Sequence, residues 1–287
     1  MLTLVTGATG QVGRGLVPRL LAQAGPDERV RVLVRDENRA AAYADLGAEV
    51  TVGDLRDTDA LGRAVAGADA VVNVAAAFRG VPEEEALAVN RDAALELGRA
   101  AVAAGVRRFV QVSTGLVYGA GRARPHVEDD DSVPGGDLWG AYPQSKAAAE
   151  RALLSDAAFA PLDVRVGRLA FVYGDGDPHL ARSVSRLADW PAAKRFHLVH
   201  VADVALGLTR LLYAPGATGR VYNIADDTAV TALDIHGILG VGLHEEAHTR
   251  TDPDPWYGVL STDRIRRELG FRPLYPTVWT ARDAGAL

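Results

Sequence analysis

The sequence predicts an α/β fold, a doubly wound parallel sheet with a smaller C-terminal region, and three observations predict it. Short apolar runs alternate with helical stretches from Leu2 to about Phe171, the order of βα units that feed a parallel sheet. A glycine-rich segment, Thr6-Gly7-Ala8-Thr9-Gly10-Gln11-Val12-Gly13, separates the first apolar run from the first helical pattern. Beyond Tyr173 the alternation breaks up and prolines recur, at 178, 191, 215, 253, 255, 273 and 276. A second, smaller region is expected there.

The first strand is the run Leu2 to Val5, directly before the glycines. Gly7 suits the tight turn, Gly10 lets backbone N–H groups approach a pyrophosphate, and Gly13 lets the helix pack close to the strand. The helix N-terminus favours negative charge, and Thr9, Gln11 and Val12 share this loop. The helical pattern runs through Leu16, Leu20 and Leu21 to a stop at Gly25-Pro26, with Pro18 inside it. A proline there removes a donor and should kink or strain the helix. Strand, glycine loop and helix in this order are what a dinucleotide requires.

The second strand, Val30 to Val34, ends in Arg35. An acid about 20 residues past the glycines would bind the ribose 2′-hydroxyl of NAD. This chain has Arg35 there, Arg39 a helical turn on and Arg14 directly after the glycines. Guanidinium groups grip phosphate in a bidentate way, so NADP is expected over NAD. The alternatives are that these arginines are solvated surface charge, or that Asp36 turns inward. Ala68 to Asn73 is a buried-strand candidate, and Asn90 to Ala104 reads as a helix that ends at Gly105. The loop from Gly119 to Gly140 is rich in glycine, proline and acids, including Glu128-Asp129-Asp130-Asp131. A cover near the cofactor is its expected role, and a solvated face is the reading for its acids.

Tyr142 and Lys146 stand four residues apart, directly before the alanine-rich run Ala147-Ala148-Ala149. Residues at that spacing share one face of a helix. An ammonium beside a phenol favours the phenolate and lowers a pKa normally near ~10. A phenol so tuned can pass a proton to or from a carbon-bound oxygen near neutral pH.

With the glycine loop and the Tyr-Lys pair placed, the chain resembles an extended short-chain dehydrogenase/reductase of the NAD-dependent epimerase/dehydratase family, over nearly its whole length. The resemblance is carried by Gly53-Asp54-Leu55, Val71-Val72-Asn73-Val74-Ala75-Ala76, Asn90, Phe109 to Thr114, Val117-Tyr118-Gly119, Arg168 and Val172-Tyr173-Gly174. Val199-His200-Val201-Ala202-Asp203-Val204-Ala205, Val221-Tyr222-Asn223-Ile224 and Leu269 to Pro273 continue it. It implies a Rossmann-type dinucleotide-binding domain over residues 1–173. A small substrate-binding region follows over 174–287, with the chain returning to the first domain around 199–225. It also implies that Asp54 and Leu55 meet the adenine, that Ala75 and Ala76 lie beside the cofactor, and that Asn90 opens the next crossover helix. Thr114 would orient the substrate oxygen, Tyr142 would supply or take the proton, and Lys146 would tune Tyr142 and hold the nicotinamide ribose. The helices Glu83 to Ala104 and Tyr142 to Ser155 resemble those of a four-helix dimer interface, so a homodimer is expected.

Two departures narrow the chemistry. Sugar 4,6-dehydratases of the family carry Asp-Glu after this threonine, where this chain has Gly115 and Leu116; neither transfers a proton. The stretch between Gly174 and Val199 is short, which argues for a smaller substrate or one not linked to a nucleotide. Lys194 and Arg195 are read either as remnants of a diphosphate site or as surface charge.

Other candidates were weighed. His244-Glu245-Glu246-Ala247-His248 has the zincin pattern, but it has no clear third ligand, and no metal site is expected. His200 is read as structural or beside the substrate pocket, three residues from His197. Tyr118 and Tyr173 either line the pocket or pack at loop ends, and Trp139 either forms a lid or anchors the acidic loop. A formal net charge of −6 gives no electrostatic case for nucleic acid or anionic membrane. No apolar stretch approaches the ~20 residues of a spanning helix, and Met1 to Val5 reads as a strand rather than a signal peptide. With no cysteine, disulfides and thiolate metal sites are impossible, and the cytoplasm is the expected compartment.

The expected function is an NADP- or NAD-dependent oxidoreductase that transfers hydride at a ketone or secondary alcohol of a small molecule. The second reading is a sugar-nucleotide epimerase or reductase. The third, from another class, is a non-catalytic NADP-binding sensor, against which the intact Thr114, Tyr142 and Lys146 weigh.

Overall fold

Leu2–Thr6 and Ala70–Asn73 are buried at every position, as strands covered on both faces must be. The computed structural model describes residues 1–78, 80–135 and 140–287. The first part of the chain contains β1 (Leu2–Thr6), α1 (Gln11–Gln23), β2 (Arg29–Val34), α2 (Glu37–Asp45), β3 (Glu49–Val52), α3 (Thr58–Val65), β4 (Ala70–Asn73), α4 (Glu83–Leu87), α5 (Ala93–Ala103), β5 (Arg108–Thr114), α6 (Tyr142–Ser155) and β6 (Asp163–Leu169). There follow β7 (Phe171–Tyr173), α7 (His179–Leu187), β8 (Arg195–Phe196), β9 (Leu198–His200), α8 (Val201–Tyr213), β10 (Val221–Ile224), β11 (Val230–Thr231), α9 (Ala232–Leu239), α10 (Asp263–Leu269) and α11 (Val278–Asp283).

Seven strands form one sheet in the order β3-β2-β1-β4-β5-β6-β10. Every neighbouring pair is parallel. The order reverses between β1 and β4, the place where such sheets open a ligand crevice at the carboxyl ends of their strands. Apolar side chains of α1 and α8, among them Leu16, Leu20, Leu208 and Leu211, cover one face. Those of α3, α5 and α6, among them Leu61, Val65, Leu97 and Leu153, cover the other. The sheet is therefore doubly wound, as expected. A separate apolar cluster joins Tyr173, Leu180, Leu198, Ile235 and Val278 in the C-terminal part of the chain.

Two glycines fix how β1 meets α1. Gly7 has φ +67°, and a Cβ on it would lie 2.6 Å from Ala75 Cα. A Cβ on Gly13 would lie 2.3 Å from the Gly7 carbonyl oxygen. Backbone thus packs on backbone, and the helix N-terminus is held against the end of the first strand. Pro18 does not break α1, which continues through it to Gln23. The turns on either side are anchored by buried Leu16, Val17 and Leu20.

The helical pattern read from Asn90 to Ala104 extends back to Glu83, the start that the resemblance gave it, and three consecutive acids there complement the helix dipole. It passes through a π-helical turn, Ala88–Asp92, which contains the buried Asn90. The acidic run is not simply a solvated face. Glu128 is buried and accepts from Asn223 N at 2.9 Å, and Asp130 pairs with Arg124 at 2.6 Å. Trp139 lies outside the described residues. No helix among the described residues is long and apolar enough to cross a membrane.

The glycine contacts generate a paired prediction. Gly13→Ala should cost about 1–3 kcal/mol, the range for an overpacked site, and should weaken dinucleotide binding. Gly62→Ala, on α3 with nothing within 4 Å of the new Cβ, should be neutral or stabilising by about 0.4–1 kcal/mol. Urea unfolding midpoints of the two variants check this, and equal midpoints would remove the close-packing argument.

Candidate active site

A cavity of about 680 Å³ opens at the carboxyl ends of β1, β2, β4, β5 and β6 and extends beneath β8. From the glycine loop it is lined by Gly7, Thr9, Gly10, Gln11 and Val12, and from the ends of β2 and β3 by Arg35, Arg39, Asp54 and Leu55. Ala75 and Ala76 after β4, Thr114 at the end of β5, and Tyr142 and Lys146 on α6 complete the group. Two of the residues singled out in the sequence stand behind this wall. Gly13 is taken up in packing α1 on β1. Asn90 accepts from Ala77 N at 2.8 Å and donates to Ala77 O at 2.9 Å and Ser145 Oγ at 3.1 Å. It thereby ties the segment after β4 to α6 without reaching the cavity. Arg14 lies 3.9 Å from Asp177 in an ion pair.

The buried face of α6 sets the chemistry. Lys146 Nζ donates to the carbonyls of Ala75 at 3.2 Å and Val112 at 3.1 Å. Two turns on from Tyr142, Glu150 accepts from Arg168 of β6 at 2.6 Å, and both side chains are almost wholly buried. Burial pushes the Lys146 pKa down to about 8, although nearby Glu150 favours the charged form. Tyr142 is half-buried. Burial pushes its phenol above the usual tyrosine value, and hydrogen bonding with Thr114 only partly offsets this. The expectation that Lys146 lowers the Tyr142 pKa is not supported by these contacts: burial and Thr114 set its direction. The ammonium is bonded to the carbonyl of Ala75 after β4 and to that of Val112 in β5.

The lining suits a dinucleotide. The first-turn N–H groups of a helix lack intrahelical partners, and those of α1 follow directly on Gly10, the N-cap. Ser113, whose buried hydroxyl has no hydrogen-bond partner among the described residues, also lines the cavity. A side recess of about 200 Å³ is bounded by Thr9, Arg35, Asp36 and Arg39. Arg35 is exposed there. The Asp36 carboxylate accepts from Asn38 N at 2.8 Å as the N-cap of α2.

Several single-residue readings are decided by partners from distant segments. Tyr118 stacks on His126 and donates to Asn223 Oδ1 at 2.8 Å, and Tyr173 donates to Asp226 Oδ2 at 3.2 Å; neither lines the cavity. His200 caps α8 by accepting from Ala202 N, and its Nε2 donates to Ala286 O at 2.8 Å, a structural role. His197 does line the cavity, but burial pushes its pKa down to about 4. Its Nδ1 accepts from Leu260 N and its Nε2 donates to Asp226 O, each at 3.0 Å, so the neutral ring is a staple rather than an acid. Glu245–His248 is a short 3₁₀ turn preceded by His244, in which the two histidines do not stack as on an α-helix. The sequence reading missed the aromatic lining from Phe78, Phe171, Trp190, Phe196 and Tyr257. Five separated positions carry no local pattern that would have joined them.

Known proteins agree with this geometry. Residues 3–225 match the NAD dependent epimerase/dehydratase family. A dTDP-glucose 4,6-dehydratase of Streptomyces griseus is 32% identical, over 94% of this chain and 88% of its own length. A 4-hydroxy-2-methyl-3-oxo-4-farnesyl-3,4-dihydroquinoline-1-oxide ketoreductase of Stigmatella aurantiaca is also 32% identical, over 80% of this chain and 70% of its own. Among solved structures, the dTDP-glucose 4,6-dehydratase DesIV of Streptomyces venezuelae, with NAD bound, superposes with a TM-score of 0.78 at 28% identity. That match covers 99% of this chain and 97% of DesIV. The chain belongs to the NAD dependent epimerase/dehydratase family, among the extended short-chain dehydrogenases/reductases, and is an oxidoreductase of that family.

Proposed function

We propose that this protein is an NADP-preferring reductase of a small-molecule ketone, also able to oxidise the corresponding secondary alcohol. The observation that carries the reading is the convergence of Thr114, Tyr142 and Lys146 on one wall of the cavity that the glycine loop opens. The nicotinamide of a bound dinucleotide would supply the hydride. Thr114 orients the substrate oxygen and Tyr142 gives it a proton. Lys146, mostly protonated at neutral pH with a pKa of about 8, holds the nicotinamide ribose. Gly115 and Leu116 offer no acid or base for eliminating water, so the dehydratase activity named for two of its relatives is not carried over.

The coenzyme preference rests on the recess at Arg35 and Arg39. Asp36 caps α2 through one carboxylate oxygen and pairs with Arg39 at 3.9 Å through the other, which leaves the Arg35 guanidinium to meet a 2′-phosphate first. Arg35→Ala should cut the NADPH-over-NADH ratio of kcat/KM by about tenfold or more, since a hydrogen bond to a charged group contributes about 1.5–3 kcal/mol. A wild-type enzyme that prefers NADH would reject the clamp.

Tyr142→Phe should lower turnover by about 10²–10⁴-fold, the usual range for a lost proton donor, with dinucleotide affinity nearly unchanged. Near-wild-type turnover in that variant would end the assignment.

The raised phenol pKa fixes a direction with pH. Below its pKa the phenolate fraction falls about tenfold per unit, so a base is scarce at neutral pH while the acid is abundant. Alcohol oxidation should climb from pH 6 to 8, above which Lys146 loses its charge, and ketone reduction should not gain over that range. The other titratable groups facing this part of the cavity are Lys146, Glu85 and His179. An oxidation rate that levels off below pH 8 would mean that Lys146 lowers the phenol once the site is loaded.

A further inference from the structure

Beyond Tyr142 the cavity wall is aromatic. The Phe78 ring centroid is 4.5 Å from that of Tyr142, and His179 follows at 6.2 Å from Phe78. Phe171 is 5.1 Å from His179, Phe196 is 4.9 Å from Phe171, and Trp190 is 5.6 Å from Phe196. All six rings line one cavity. They form a continuous track leading away from the phenol, at spacings typical of tilted and edge-on aromatic contacts. Leu116 adds an apolar side chain to the same lining.

Of the two cations beside Phe196, Lys194 is already engaged. Lys194 Nζ donates to Asp252 Oδ1 at 3.3 Å and to the Asp254 carbonyl at 2.9 Å, and it lies 5.2 Å from the centre of the Tyr257 ring. The Arg195 guanidinium stacks over Trp256 at 4.5 Å. A nucleoside diphosphate would bring two negative charges to this wall, where Lys194 already shares its charge with a carboxylate. A desolvated anion needs a dedicated partner, whereas flat apolar rings need only the surface that is there.

We propose that the substrate is a ring-bearing, largely apolar carbonyl compound, an aryl or fused-ring ketone rather than a nucleoside-diphosphate sugar. Its oxygen sits between Thr114 and Tyr142, and its rings pack along the track from Phe78 to Trp190. This rests on the reading of Tyr142 as proton donor. The carbonyl carbon gains a hydride from the reduced dinucleotide. The carbon–oxygen π pair takes the Tyr142 proton, and solvent reprotonates the phenolate.

The test uses the full chain with 2-acetylnaphthalene, 2-octanone, dTDP-glucose and UDP-glucose. Binding is read by calorimetry with oxidised dinucleotide present, and turnover with NADPH and NADH by absorbance and product analysis. The variants are Phe196→Ala and Trp190→Ala, with dinucleotide affinity as the check that each is folded. Wild type should bind and reduce the aryl ketone with kcat/KM at least about tenfold above 2-octanone. Each variant should raise its KM about tenfold or more, the scale of a lost hydrophobic pocket contact, leaving dinucleotide affinity unchanged. Conversion of a sugar nucleotide with the aryl ketone inert overturns the substrate class and leaves the Tyr142 reading standing. Binding of the aryl ketone that weakens in both variants, without any reduction, supports the aromatic site and overturns the hydride-transfer reading. Absence of aryl ketone binding, or binding that neither variant changes, overturns the proposal.

Discussion

A buried ammonium held by two backbone carbonyls is the constraint on which the site depends. Lys146 bonds the carbonyl of Ala75, just past β4, and that of Val112 in β5, and a buried cation is tolerated only when such partners satisfy it. Four residues further along the same helix face, Glu150 is locked to Arg168 of β6. Removing one member of such a pair leaves an uncompensated buried charge, which is strongly destabilising. Between them these two contacts fix the rotation and height of α6 over the sheet. The position of Tyr142, one turn before Lys146, follows from that placement.

The same contact explains why the phenol is not acidified. The i, i+4 spacing guarantees a shared face, but it says nothing about where a long side chain ends. Lysine carries three donors on a flexible stem, and two of them are taken by backbone carbonyls from segments far away in sequence. Burial then acts on both partners in opposite senses, raising the phenol and lowering the ammonium. The pair keeps a proton on Tyr142, which is the state the proposed reduction needs before hydride arrives.

Much of the frame was legible because its signals are local. Fully buried parallel strands must read as apolar runs, and the glycine loop announces the first crossover because only glycine fits at Gly7 and Gly13. The helix beginning at Glu83 was legible as well, since Pro82 and three acids mark a start. The fates of Tyr118, Tyr173, His197 and Glu128 were not legible. Each is decided by a partner from another segment, such as Asn223, Asp226, Leu260 or Arg264. The aromatic track is the extreme case, because its rings come from the segment after β4, from α7, and from β7 and β8 with the loop between them. Only the fold brings them into one wall.

Three features that arise independently bear on the direction of the reaction. The recess at Arg35 and Arg39 suits the phosphate that distinguishes the coenzyme usually used for net reduction. The raised phenol favours proton donation over proton removal. The apolar wall keeps water away from the developing charge on the carbonyl oxygen, so that hydrogen bonds from Thr114 and Tyr142 act at low dielectric, where they are strongest. An epimerase has no use for such a bias, because it must return hydride to the same carbon with the coenzyme unchanged and so needs donor and acceptor states balanced. On the proposed reading, a site that holds the proton, takes the reducing coenzyme and dries the carbonyl would run one way, and the aromatic track would decide which carbonyl it dries.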